Sequence, residues 1–285
     1  MENRLYRVGM VIFSMVLFAL LAGFFFVNTK IGRSYIVRNN AIRASQQLTA
    51  KKAKQNQQAD TSFDPTKTHS IGVKQVLQAG NYSAKPIGRM SIPAVNTYNP
   101  LFKGFGTQGQ NLSYGVCTVL PERALGKDNN YVLAGHYMGG YGPAVLDNIH
   151  EAHSGDHIYV TDMEHIYDYR VNKKYLALEP TQVSVEDNTP HTKLITLITC
   201  SDFNQAKYGF GKHRTVIQGV YQRTMPATQA NLVKYGVSSE IIPTKQKQHY
   251  QNHRLSNLTL PQITASFAII WVLVTAALVI KAWRK

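Results

Sequence analysis

Leu194-Ile195-Thr196-Leu197-Ile198-Thr199-Cys200, followed by the turn-like Ser201-Asp202-Phe203-Asn204, decides the fold class of this 285-residue chain. Its residues are of the kind that favour a pleated, half-buried strand. Working outward, residues 87–95, 130–138, 157–171 and 213–223 have the same character, rich in Val, Ile, Thr and Tyr, and several alternate apolar with polar residues at period two. Gly-, Pro-, Asn- and Asp-rich runs at 104–111, 121–130, 138–143, 154–156 and 186–190 divide them. Short strands cut by turn signals predict an all-β barrel or sandwich. One helix is expected, from Gly142 to Ala152.

On either side of this body the composition changes. Residues 8–27 contain no charge and are long enough to cross a bilayer. Arg4 and Arg7 give them the basic start of a signal sequence, but no small-residue cleavage site follows Val27, so an uncleaved anchor is expected. Residues 263–280 are also uncharged and run into Lys281, Trp283, Arg284 and Lys285, which predicts a second span with a cytoplasmic basic end. Two spans put residues 1–7 and 281–285 inside the cell and residues 28–262 outside. Residues 28–80 are polar and expected to form a helical or loose stalk, 81–224 the structured domain, and 225–262 a second tether.

Lys and Arg number 31 against 16 Asp and Glu, a formal charge of +15, which favours an anionic neighbour. No nucleic-acid-binding motif is present, so a membrane or acidic wall is expected and nucleic acid is not. Cys117 and Cys200 are too few for a disulfide scaffold. They can pair, or one is reactive and one buried. Cys117, inside the apolar Gly115-Val116-Cys117-Thr118-Val119, is expected to be inert core.

Cys200 stands where a strand meets a loop, held rigidly yet able to reach a substrate. His136 ends the strand-like Val132-Leu133-Ala134-Gly135-His136, and an imidazole can exchange a proton with a thiol or a leaving amine. Arg214 opens another strand, where its permanent charge can steady a thiolate or an oxyanion. Alone, each has an ordinary explanation: a buried thiol, one of ten histidines, a surface arginine.

Together they resemble the sortase family. Thr196-Leu197-Ile198-Thr199-Cys200 fits that family's TLxTC pattern, His136 its Ala-Gly-His strand end, and Arg214 the Arg on the strand after the cysteine. Ile87-Gly88-Arg89-Met90-Ser91-Ile92-Pro93, Leu112-Ser113-Tyr114-Gly115 and Thr181-Gln182-Val183-Ser184-Val185 are similar to sortase segments too, so the resemblance covers about residues 82–224. It implies a closed eight-stranded β-barrel with short helices, flanked by membrane helices, displaying Cys200, His136 and Arg214 at one groove. It also implies cleavage of an LPxTG-type sorting signal between Thr and Gly through a thioester, then transfer to an amine of a cell-wall precursor at a Gram-positive-type cell surface. Backbone amides beside the Thr-Cys unit share the oxyanion in that family, which makes Thr199 and Ser201 secondary candidates, with Ala134 and Ile198 beside them.

The segments around His136 and Cys200 look like class A sortases, whereas a second span is typical of the pilin-polymerising class C. That class carries a lid built on Asp-Pro-aromatic. Here Asp64-Pro65-Thr66 lacks the aromatic, and no lid is expected. The alternatives are a pilin-assembling sortase, a thiol hydrolase, or an idle barrel acting as a tethered binding module. His150, His153 and His157 are spaced like helical metal ligands, but Gly155 interrupts them, and no metal is expected. Glu122, Asp128, Glu186 and Asp187 are the positions where some sortases bind calcium, but they are scattered among basic neighbours, so no cofactor is expected.

Overall fold

A computed structural model of the chain describes residues 2–80, 82–138, 145–238, 266–267 and 269–276. Eight strands close into a barrel: β1 (Gly88–Ile92), β2 (Thr97–Phe102), β3 (Val116–Thr118), β4 (Asn130–Ala134), β5 (His157–Thr161), β6 (His165–Leu178), β7 (Leu194–Cys200) and β8 (Arg214–Pro226). Their order around the barrel is β1-β2-β3-β4-β7-β8-β6-β5. The β2–β3 and β4–β7 pairs are parallel and the rest antiparallel. Closure leaves no open sheet edge.

Period-two alternation places two apolar clusters on opposite faces of one wall. Leu101, Val116, Leu133, Ile195 and Leu197 fill the main core with Met90, Ile92, Ile158 and Ile217. Their neighbours Phe102 and Cys117 belong to a second cluster with Phe105, Leu112, Tyr114 and Ala79. Since successive side chains of a strand point to opposite faces, this second cluster lies outside the barrel wall. Cys117 is fully buried there, unpaired, and burial pushes its thiol up.

The N-terminal segments cover that outer wall. The helix α1 (Glu2–Asn28) contains one stretch, Gly9–Asn28, long and apolar enough to cross a membrane, with none of it buried in the protein. Thr29 then caps α2 (Lys30–Gln46) by accepting from the Gly32 N–H at 3.0 Å. A Cβ on Gly32 would sit 1.9 Å from the Phe26 carbonyl oxygen, so the turn between the two helices requires glycine. The polar segment 28–80 folds as α2, α3 (Ala50–Asn56) and α4 (Val73–Gly80), and it buries Val37, Leu48, Ala53, Ile71, Val76 and Ala79. Arg89 of β1, itself buried, donates to the Ser45 carbonyl at the last turn of α2. Helix C-terminal carbonyls lack partners within the helix and favour a cation, which gives this buried guanidinium its place without a carboxylate.

Two expectations are corrected. The helix over 142–152 is absent from its described part, where turns lead to a single 3-10 turn, Ile149–Glu151; residues 142–144 lie outside the described residues. Residues 225–238 are not a tether. They end β8 and form α6 (Gln229–Lys234), burying Leu232, Tyr235 and Val237 against Ile166, while Ser91 donates to the Tyr235 carbonyl at 2.6 Å. The expected second span falls partly outside the described residues. Residues 266–267 and 269–276 are helical with exposed apolar side chains, and the Trp271 ring lies 6.4 Å from that of Phe18 on α1.

Candidate active site

Strand pairing assembles the site. β4 and β7 run parallel with Ala134 opposite Ile198, and the Gly135 N–H donates to the Ile198 carbonyl at 3.1 Å. The ladder thus continues one residue past β4, setting His136 beside the end of β7, where Cys200 stands partly exposed. Gly135 admits no side chain: a Cβ there would meet Val145 at 2.6 Å and Leu146 at 2.9 Å. Across the antiparallel β7–β8 pair, Cys200 faces Arg214. The barrel therefore presents thiol, imidazole and guanidinium from three adjacent strands.

A cavity of about 120 Å³ connects Cys200 with His136, Tyr137, Met138, Asp202 and Phe210. Gln205 and Gly211 line it too, and the rest of its wall is N-terminal: Lys30 and Arg33 of α2, with Ser70 and Ile71. The His69 backbone hydrogen-bonds the His136 ring, and Ile71 is buried in the main core. A strap at residues 69–71 therefore roofs the groove, which corrects the expectation of no lid. Asp64 does not build it. Its carboxylate accepts from the backbone and hydroxyl of Thr66 and caps a local 3-10 turn.

The cover sets the electrostatics. Burial pushes the Cys200 thiol up, Asp202 adds to this, and Arg214 opposes it. Burial likewise depresses His136 to about 4, against the hydrogen bond the ring makes to the His69 backbone carbonyl, and its Nε2 is enclosed without a partner. Thiol and imidazole are both neutral near pH 7 in this covered state. Arg214 is held by its own loop, Nη1 donating to the carbonyls of Gly211 at 2.9 Å and His213 at 3.1 Å.

The secondary candidates divide. Ala134 and Ile198 are partly exposed on the Cys200 face of the wall. Thr199 is buried, with its hydroxyl unpartnered. Ser201 is committed to structure: its N–H donates to the His213 carbonyl at 3.0 Å and its hydroxyl to the Leu176 carbonyl at 2.6 Å. It has no free N–H for an oxyanion. Lys30, Arg33, Ser70 and Ile71 were not among the sequence candidates; the apolar spacing of Ile71, Val73 and Val76 was the one signal that this polar stretch packs.

The histidine series does not converge. His150 stacks on Phe203 at 4.1 Å, and His157, on β5, meets Asp168 at 2.6 Å. Among the described residues no group of three or more His, Cys, Asp or Glu side chains is placed to hold a metal ion. Glu186 and Asp187 adjoin, and burial first and then Asp187 raise the Glu186 carboxyl while Arg123 opposes.

Comparison with known proteins points to one family. The sortase domain profile matches residues 90–222. Sortase A of Streptococcus agalactiae is 29% identical over 180 residues, covering 61% of this chain and 72% of that protein. Sortase A of Listeria monocytogenes is 35% identical over 161 residues, covering 54% of this chain and 68% of that one. The crystal structure of the Listeria monocytogenes enzyme superposes with a TM-score of 0.47 at 34% identity, over 54% of this chain and 98% of that chain. With the closed eight-stranded barrel and this level of identity to sortase A proteins, the chain belongs to the sortase family of transpeptidases.

Proposed function

We propose that Cys200 is the nucleophile, His136 the proton donor and acceptor, and Arg214 the cation that steadies the reacting centre. The observation carrying this reading is the β4–β7–β8 register, which brings the three together. In the reactive form Cys200 is a thiolate and His136 an imidazolium. The Sγ attacks the Thr carbonyl of an LPxTG-type sorting signal, and Arg214 stabilises the oxyanion. As the C–N bond to Gly breaks, His136 gives its proton to the departing amine. An incoming amine, from a cell-wall precursor, loses a proton to His136 and displaces Sγ from the thioester. One amide replaces another, with the thioester conserving the energy of the first bond.

The substrates are surface proteins bearing sorting signals, and the enzyme works at the cell surface, anchored by α1 with residues 28–262 outside and the C-terminal apolar segment as a second span. Likeness to sortase A proteins supports a housekeeping role. The strap over the groove is the one observation favouring a pilin-type variant, in which access is gated.

The test uses the full chain in detergent with an LPxTG peptide and a glycine-type amine. Cys200→Ala lowers amine-linked product by at least about 10⁴-fold, the scale of nucleophile removal. Cys117→Ala, which alters packing only, keeps turnover near wild type. Loss in Cys117→Ala with retention in Cys200→Ala overturns the assignment; free acid in place of amine-linked product makes the protein a hydrolase.

A further inference from the structure

A second concavity lies on the outer wall, between the N-terminal helices and the barrel. Its volume is about 490 Å³, within the range of small-ligand sites. Three separate segments each bring a cation to it: Arg43 from α2, Lys52 from α3, and Lys85 from the stretch leading into β1. No acidic side chain lines it. Asn40 of α2 is only 5% exposed, and its Oδ1 accepts from Arg43 at 3.4 Å. Its Nδ2 is buried without an acceptor. Lys52 Nζ donates to Gln47 Oε1 at 3.4 Å, so both Arg43 and Lys52 meet neutral acceptors here rather than a neutralising charge. Tyr82 and Tyr114 form an apolar wall with their rings 5.8 Å apart. Their hydroxyls already donate inward, to Asn111 Oδ1 and the Ala79 carbonyl; Tyr114 is buried and Tyr82 partly exposed.

We infer that this cleft binds a phosphate ester on a small polar headgroup. The rim supplies charge-assisted donors in a fork-and-point arrangement, Arg43 beside two lysines, which suits phosphate oxygens. The aromatic wall suits the carbon skeleton attached to them. A carboxylate would satisfy one cation, whereas a phosphate offers enough oxygens for all three. The site is built across the junction of α2, α3 and the barrel, so its occupant ties the membrane-adjacent helices to the catalytic domain. It shares no lining residue with the Cys200 cavity.

Two sources carry this chemistry, a soluble phosphate ester and an anionic lipid headgroup, and one experiment separates them. The full chain, purified in a zwitterionic detergent, is titrated calorimetrically with inorganic phosphate and with glycerol 3-phosphate. It is also placed in nanodiscs of phosphatidylcholine with or without phosphatidylglycerol and assayed for protection of 40–56 by hydrogen exchange. Saturable binding of glycerol 3-phosphate is expected, with the dissociation constant raised at least about tenfold, or 1.4 kcal/mol, in Arg43→Gln and in Lys52→Gln. Lys234→Gln, on the exposed far side, leaves it unchanged. Protection that appears only with phosphatidylglycerol and is lost in Arg43→Gln makes the lipid the source. Both arginine and lysine positions are exposed, so the variants fold. Binding that is non-saturable, or equal in Arg43→Gln, Lys52→Gln and Lys234→Gln, overturns the site.

Discussion

His136 holds little charge in the covered site, and that has a stability consequence of fixed sign. Its folded value, about 4, lies below the ordinary 6.5, so between these pH values the unfolded chain binds more protons than the folded one. The stabilisation is fully present above pH 6.5, declines as pH falls, and is gone below about 4. At 1.36 kcal/mol per unit it amounts to at most about 3 kcal/mol, less for the part of the ring that water reaches. Urea unfolding at pH 7 and pH 4.5 is expected to show a smaller loss for His136→Gln than for wild type; equal losses would mean that the imidazole is not desolvated. At this scale the sequence was informative for chemistry and silent on environment. Cys200, His136 and Arg214 were singled out by their joint resemblance to the sortase pattern, since residue type at a strand end left each with an ordinary explanation. That Ser201 has no free amide follows from its N–H bonding the His213 carbonyl just before β8, a contact no local pattern encodes. Nor does composition reveal that Cys117 is buried outside the barrel, since either face of β3 accepts an apolar residue.

The element that ties chemistry to access is the strap at 69–71, leading into α4. Its Ile71 is buried at 9% exposure, and fully burying such a side chain contributes about 1.5–3 kcal/mol. The same segment lines the cavity beside Cys200 and His136, so it adds to the burial that favours the neutral thiol and imidazole. Weakening the strap should therefore change ionisation as well as access. Ile71→Ser is expected to raise the iodoacetamide alkylation rate of Cys200 at pH 7 at least about tenfold, since thiolate fraction and exposure rise together. Peptide mapping would show Cys117 still unmodified. An unchanged rate would mean the strap is already open in solution. Strands were legible because turn residues punctuate them and period two persists. The strap was not, because 28–80 looks polar throughout: its apolar residues are sparse, and Val37, Ile71, Val76 and Ala79 find their partners in clusters shared with the barrel. The misplaced helix at 142–152 has a similar origin, as residues 145–149 and Ala152 are buried and held by tertiary contacts, Asn148 donating to the Val95 carbonyl at 2.9 Å, which override helical spacing.

On the scale of the whole molecule, α2 joins three sites that the chain keeps far apart. Its first turn brings Lys30 and Arg33 to the Cys200 cavity, Asn40 and Arg43 further along carry it to the phosphate cleft, and its last turn also offers the Ser45 carbonyl to Arg89. Arg89 is thus the polar fastening between the membrane-adjacent helices and β1. Burial alone lowers its guanidinium to about 10, still charged at neutral pH, and no carboxylate is needed because the helix end supplies the negative pole. Arg89→Met keeps the length and apolar stem but leaves the α2 terminus without its donor. Losing a buried hydrogen bond of this kind costs about 1–3 kcal/mol, a loss that falls on α2 docking rather than on the closed barrel. Hydrogen exchange should therefore speed up across residues 30–46 while β7 and β8 stay protected. Cys200 should become more reactive as Lys30 and Arg33 withdraw. If β7 and β8 lose protection along with α2, the helices and barrel unfold as one unit, and α2 is part of the catalytic domain's own stability rather than a separable cover.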